Sequence, residues 1–486
     1  MKKIINNTLL LILFISISSC NREEFLDIQP RGFVIPSTIE DFQQLLDNTE
    51  VFLISDLPPD IELTLEERRN LGITNGFAQK HSITRYMSDN SMFTDDLADA
   101  FFFGPIETRA YLYDETIYNP NENDGDWDNY YGDIYLANIV IEGLETAEGE
   151  VTEKNNVEAQ ARLHRAYAYF GLVNLYAAHY NAQTASTDLG VPIREGISFD
   201  NVDLTRASVQ EVYDLIIEDL RFGIENLEDL PADNLVFRPS RAAAHALLAR
   251  TFLYQGRYDE ALNEANNALT IFGAIRDINN DLIQPNFGIR FAPDAANDPQ
   301  ILWFKTSLNP FANQVASDEL LGLYENNDLR QEWYIPSSSF FGGDFQALFF
   351  AQDLVTLGGG DGINTPEIYL IRAECNARLG NIAAANEDLN ALRVNRFSPD
   401  NFIPVNITDP QALLQFVKDE RRREFPVDEE RLFDIKRYNL LDNDGISLTR
   451  SLRGQTNTIE PGSPRFVLPI GNLYIQTNPE IIQNPR

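Results

Sequence analysis

The sequence predicts a mostly α-helical protein built from helix hairpins, and three stretches predict it. Ser240 to Leu269 reads SRAAAHALLARTFLYQGRYDEALNEANNAL, two helical patterns meeting at Gly256. Thr365 to Arg393 reads TPEIYLIRAECNARLGNIAAANEDLNALR, the same arrangement around Gly380. Trp127 to Leu144 reads WDNYYGDIYLANIVIEGL, and places Trp127, Tyr131, Ile134, Asn138 and Ile141 at the three- and four-residue intervals of one helix face.

The chain begins with Lys2 and Lys3, an apolar run from Leu9 to Ile17, and Ser18-Ser19-Cys20. A charged start, an apolar segment too short to span a bilayer and small residues before a cut site read as an export signal over residues 1–19. The serines before Cys20 resemble a lipobox, in which the cysteine becomes the lipidated N-terminus; plain secretion is the competing reading. Glu23 and Glu24 are similar to the acidic tag of surface-exposed lipoproteins. With 74 acidic against 38 basic residues the formal charge is −36. That balance disfavours nucleic acid, whose binding depends on Lys and Arg. The other cysteine, Cys375, falls in the second hairpin as a small packed residue.

Residues 20–486 read as one domain, because no Pro/Gly/Ser-rich linker divides them. Thr38 to Leu46 forms a short helix with Thr38 and Asp41 near a capping box. Phe52 to Asn119 shows little period and many aromatics, and its length implies some hidden helix. The Trp127 helix is followed by Val157 to His179, with Ala161, Ala168, Leu172, Leu175 and Ala178 inward. Its partner is Val209 to Leu230, with Val209, Val212, Ile216, Leu220 and Leu227 buried.

In the hairpin at 240–269, Ser240 caps the first helix and Asp259 the second, with Ala261, Ala265, Ala268 and Leu269 on one face. Small residues at those spacings let helices approach closely, and Gly256 turns the corner. The motif resembles a tetratricopeptide (TPR) helix pair. In the second copy, Thr365 is the cap and Pro366 the first helical residue. Aligning the two glycines superimposes Ala373 on Ala249, Ala377 on Leu253, Ala385 on Ala261, Leu389 on Ala265 and Leu392 on Ala268. The copies stand much further apart than the roughly 34-residue period of a tandem array, so they are dispersed pairs in a larger body. A third TPR-like unit falls near 157–230.

Ile278 to Asn364 loses helical regularity, and Gly358 to Gly362 reads there as a flexible turn lacking the lysine of a phosphate loop. Pro410 to Tyr438 is a charged helical region broken at Pro426, in which Asp419 can meet Arg423, and Arg431 can meet Asp434. The stretch from Phe466 closes the chain as a loop.

No catalytic constellation is found. His81, His164, His179 and His245 make no metal-ligand pair at helical spacing, and His164 and His245 read as satisfied helical histidines. The acidic clusters around Gly125 and Gly445 fail the calcium-loop pattern. No nucleophile elbow occurs. The sequence therefore predicts no enzyme, no metal and no cofactor.

Taken together, the pieces resemble the SusD/RagB family of outer-membrane nutrient-binding lipoproteins. The resemblance rests on the Cys20 lipobox followed by FLDIQP, WDNYYGDIYLANIVIEGL, ARLHRAYAYFGLVNLYAAHY with GVPI, and the two glycine-cornered hairpins. ELLGLYENNDLR, DERRREFPVDEERLFDIKRYN and the LPI…NPEIIQNP ending complete it. Departures are Asp428-Glu429-Glu430 where the family shows Glu-Gly-His, Tyr438 where Trp is common, and Gly471 after LPI.

The resemblance implies a SusD-like fold with about four TPR-like helix pairs as scaffold and a loop-rich ligand-binding side. It implies a surface-exposed lipoprotein, anchored in the outer membrane through Cys20, that captures an oligosaccharide for a SusC-like TonB-dependent transporter. A peptide-capturing, RagB-like member is one alternative, and a TPR-like protein-interaction adaptor is another. Glu420, Arg421, Glu424, Arg431 and Asp434 match the family's most regular motif and imply a structural ion-pair network.

Sugar rings stack on aromatics, while Asn, Asp and Arg bind their hydroxyls, and such groups sit on loops held by a rigid scaffold. The irregular stretches Tyr86 to Phe103 and Trp303 to Phe350 have both ingredients. The candidate ligand-binding residues are Tyr86, Asp89, Asn90, Trp333, Tyr334 and Phe341, with core packing the competing role of each. Trp127 and Trp303 are assigned to the core.

Overall fold

The computed structural model describes residues 36–47, 49–50, 74–75, 83–100, 103–281, 297–307, 315–336, 348–350, 359–426 and 430–486. Cys20 and Phe341 lie outside the described residues.

Side-chain caps set where the helices begin. Thr38 and Asp41 close a reciprocal capping box at α1 (Ile39–Leu46). The irregular stretch after it holds α2 (Asp95–Ala100) and α3 (Pro105–Tyr111), the hidden helix its length implies. Asp124 accepts from the Trp127 amide and starts α4 (Gly125–Thr146). α5 (Val151–Tyr176) is buried almost all round from Val157 onward. Ser208 and Glu211 form a second capping box at α6 (Val209–Asn226). The first hairpin is α7 (Arg241–Tyr254) and α8 (Tyr258–Ile271). The second is α10 (Thr365–Arg378) and α11 (Ile382–Arg393), with the one-turn α9 (Asp318–Leu321) between the two. The charged region splits at Pro426 into α12 (Pro410–Glu424) and α13 (Glu430–Leu441), as a proline requires. A short α14 (Asn472–Thr477) lies in the closing segment expected to be loop.

Consecutive helices pack on one another: α4 on α5, α5 on α6, α6 on α7, α7 on α8, α8 on α10, and α10 on both α11 and α12. The alanine faces meet as expected. Ala373, Ala377, Ala385, Leu389 and Leu392 share a buried cluster with Leu413 and Val417 of α12. Ala242, Ala246, Ala249, Ala261, Ala265 and Ala268 lie in the main core. Gly256 and Gly380 take φ of +72° and +80°, the left-handed corner that glycine adopts without strain. The scaffold is helical, and the described strands form four two-stranded antiparallel pairs, one of which carries Leu302, Trp303 and Ile363 into the main core.

Several local expectations are corrected. α8 starts at Tyr258 after Arg257, two residues earlier than a cap at Asp259 implies, so Asp259 lies in its first turn. Asn364, not Thr365, caps α10, and the Thr365 hydroxyl instead bonds the Ala274 carbonyl. α5 stops at Tyr176, and Lys436 of α13 donates to the carbonyls of Asn174 (2.5 Å) and Ala177 (2.8 Å) at its end; Ala178 is exposed, not inward. On α4 the burial spreads to Tyr130, Ala137, Val140 and Leu144, leaving Tyr131 and Ile141 half-buried.

The glycine run is not a turn. β2 (Gly359–Asn364) pairs antiparallel with β1 (Ile301–Ser307). Gly362 (φ +116°) sits so close to the Trp303 carbonyl and Lys305 amide that a Cβ would collide with both. Trp303 is fully buried, its indole N–H donating to the Phe237 carbonyl at 3.1 Å.

Candidate functional site

α12 and α13 carry an unusual face for helices in a core. Glu420, Arg421, Arg422, Arg423, Glu424, Arg431, Asp434 and Arg437 are all buried. An isolated buried charge is prohibitively costly, so each must find an opposite charge and hydrogen bonds. Glu420 faces three guanidinia: Arg330 at 2.8 Å, Arg393 at 3.0 Å and Arg423 at 2.7 Å. Glu424 takes Arg396 at 2.6 Å and Arg330 at 3.0 Å. Asp434 takes Arg421 at 2.7 Å and Arg437 at 2.9 Å, and Arg437 continues to Glu374.

The network reaches the irregular segments. Arg431 does not turn to Asp434, as its spacing allowed; it grips Asp89 with two 2.7 Å bonds across the chain. Arg423 pairs with Glu420 and not with Asp419, which accepts from Gln415. Burial raises the Asp89 carboxyl, but Arg431, then Arg422 and Arg450, outweigh it and hold the pKa at about 2. Glu420 is likewise held well below the carboxylate range by its three arginines against the cost of burial.

Asn90 donates to the Pro426 carbonyl at 3.1 Å and accepts from Arg422 at 3.1 Å. Tyr86 packs edge-on against Phe103 and Phe93. From the other irregular stretch, Ser317 hydrogen-bonds the backbone of Asp89 and Asn90, and Met92 the backbone of Val315. Trp333 and Tyr334 share a cluster with Ile278, Ala316 and Leu320. The Tyr334 hydroxyl meets that of Tyr324 at 2.9 Å, which donates to the Arg423 carbonyl at 2.8 Å. The two candidate stretches therefore converge on the C-terminal half of α12. Tyr86, Asp89, Asn90, Trp333 and Tyr334 are each under a tenth exposed.

Beside Asp89 opens a polar cleft of about 420 Å³, lined by Glu319, Lys418, Asp419, Arg422 and Arg431 among others. Glu319 is two-thirds exposed and bonds Arg422 at 2.7 Å; Lys418 bridges Asp442 and Asp444. Sequence reasoning missed Glu319, Lys418 and Arg422 as a group, because only the fold brings a one-turn helix beside α12. The chemistry the cleft offers is directed hydrogen bonding with paired charges. Among the described residues no cluster of three His, Cys, Asp or Glu could hold a metal, and no helix is long and apolar enough to cross a membrane. His245 pairs with Glu264 at 2.6 Å, and His164 lies 2.7 Å from the Lys305 ammonium.

A scaffold of packed helix pairs, with irregular segments clamped to one flank beside a polar cleft, defines a binding protein of the helical-repeat kind. Residues 24–253 match the family described as "Starch-binding associating with outer membrane", and residues 365–486 the family described as "SusD family". The chain belongs to the SusD/RagB family, whose members are carbohydrate-binding proteins associated with the outer membrane. It is 20% identical to the SusD-like protein P25 of Formosa agariphila over 99% of this chain and 98% of that one. A SusD superfamily protein from Bacteroides thetaiotaomicron superposes with a TM-score of 0.68 at 19% identity, covering 92% of this chain and 100% of its own. A laminarin-binding SusD-like protein superposes at 0.58 and 16% identity, over 84% of this chain and 95% of its own.

Proposed function

We propose that this chain is a surface-exposed outer-membrane lipoprotein, anchored through Cys20, that captures an oligosaccharide and delivers it to a SusC-like TonB-dependent transporter. The observation that carries the reading is the convergence of the two irregular segments on α12, beside a cleft rich in hydrogen-bonding groups. The laminarin-binding neighbour supports a glycan as ligand. In this reading Asp89 and Asn90 edge the ligand side, and Phe341, outside the described residues, stays a candidate contact. Tyr86, Trp333 and Tyr334 position that edge from beneath. The Glu420, Arg421, Glu424, Arg431 and Asp434 network holds the platform rigid, with Arg431 reaching the cleft wall beside Asp89.

One observation favours a second reading. The cleft lining is charged in both signs and mainly polar, which suits a peptide backbone with charged side chains as well as sugar hydroxyls. Titrating the chain from Asn21 onward against a glycan panel and a peptide mixture by calorimetry separates the two. The expected result is a sugar hit weakened about tenfold by Glu319→Ala or Gln415→Ala at the rim. A peptide hit with no sugar hit replaces the first reading by the second. Sugar binding indifferent to both rim changes removes the cleft from the site. Cys20→Ala that stays membrane-bound on fractionation overturns the anchor.

A further inference from the structure

A second cavity, of about 640 Å³, lies away from the charged cleft. Its walls are the segment after α5, the end of α13 and the closing segment of the chain. The volume is that of a small-molecule pocket. Leu189 and Leu440 line it and are 38% and 40% exposed, so two large apolar side chains stay open to solvent in one place. Ala178 and Val467 extend the same wall. Apolar surface gathered in a cavity, unlike a scattered exposed leucine, marks a site.

The charge on that wall is one-sided. Asp188 lines the cavity, and its carboxylate accepts from the Thr184 hydroxyl at 2.6 Å. It is half-buried and makes no ion pair among the described residues. Asp89, Asp219 and Glu374, by contrast, each hold an arginine. The cation on the wall, Lys436, is buried and donates to the carbonyls of Asn174 and Ala177 at the end of α5. Those carbonyls form the negative end of the helix dipole, which offsets the ammonium charge. The His179 ring adds no charge, because burial, then Lys436 and Arg437, lower its pKa to about 3. An anion would meet Asp188 with no free cation to hold it, and an uncharged ligand would leave the carboxylate unmatched. The formal charge of −36 also draws cations toward the surface.

We propose that this cavity binds a small organic cation, a primary ammonium carried on an apolar ring or short chain. The ammonium pairs with Asp188 in a charge-assisted hydrogen bond, and the apolar body covers Leu189 and Leu440. The site is separate from the cleft beside Asp89 and stands independently of the function proposed for it.

The test is a titration of the mature chain with benzylamine, an ammonium at neutral pH, followed by saturation-transfer NMR. Benzyl alcohol serves as its uncharged counterpart. The ammonium is expected to bind saturably in the millimolar range, about tenfold more tightly than the alcohol. Asp188→Asn should abolish that preference and leave the affinity for the alcohol unchanged. Ala178→Trp, at an exposed position on the cavity wall, should weaken both ligands roughly tenfold. Glu319→Ala in the charged cleft should change neither. Absence of saturable ammonium binding, or equal affinity for ammonium and alcohol, overturns the proposal. So does an undiminished preference in an Asp188→Asn chain, or wild-type affinity in an Ala178→Trp chain, that melts normally. Loss of ammonium binding in Glu319→Ala would assign the effect to the cleft and overturn it equally.

Discussion

The two glycine-cornered hairpins and the segments clamped on α12 both place residues in the buried core, yet they are held by opposite means. In the hairpins, alanines on facing helices meet closely, and partners stand a few turns apart in sequence. In the clamped region, Asp89 and Arg431 are 342 residues apart and joined by charge. Close apolar packing is many small contacts, so losing one leaves the rest. A buried ion pair concentrates its effect in a few atoms, and losing one partner strands the other. The difference predicts where the molecule is brittle.

The largest effect should come from Glu420→Ala. It leaves Arg330, Arg393 and Arg423 around an empty position, with Asp328, Glu424 and Glu325 as remaining carboxylates. The expected loss is about 3–5 kcal/mol of unfolding free energy, measured by urea denaturation. A loss below about 1 kcal/mol would mean the network relaxes around the gap, and the contrast with the hairpins would fail.

The next effect, roughly 2 kcal/mol, is that of Asp89 and its dependence on pH. Its folded pKa is about 2 against an ordinary 3.8. A depressed carboxyl contributes stability that is fully present above pH 3.8 and lost as pH falls toward 2. The stability gap between the wild type and Asp89→Asn should therefore shrink over that window. A gap that is flat down to pH 2 would detach Asp89 from Arg431.

How much of this could be read in the sequence follows the same division. Ser240, Gly256, the alanine spacings and Pro426 are local signals, and the elements they predict are present, with the cap one residue early at Asn364 and two early at Arg257. The charged motif was legible as a network, but its partners were not. Asp434 and Asp419 are the near neighbours that helical spacing offers to Arg431 and Arg423, and the folded chain gives them Asp89 and Glu420 instead. Composition marked Tyr86 and Trp333 as candidates, yet it does not encode which face of an aromatic ring is covered. The glycines at 359–362 gave no strand pattern, because their role is to let β1 approach.

The smallest effect belongs to the hairpins, and it completes the contrast. Ser240 accepts from the Ala243 amide at 3.2 Å and satisfies one of the free N–H groups at the start of α7. Ser240→Ala removes that bond and creates no stranded charge. The expected loss is about 1 kcal/mol, independent of pH between 4 and 2, since no titrating group is involved. Hydrogen exchange should show lost protection only in the first turn of α7, because Ala242, Ala246 and Ala249 still pack against their neighbours. If exchange accelerates across both α7 and α8, the hairpin is as brittle as the ion-pair region. The stability of the alanine faces would then depend on their caps, and the division between distributed and concentrated binding forces would no longer separate the two regions.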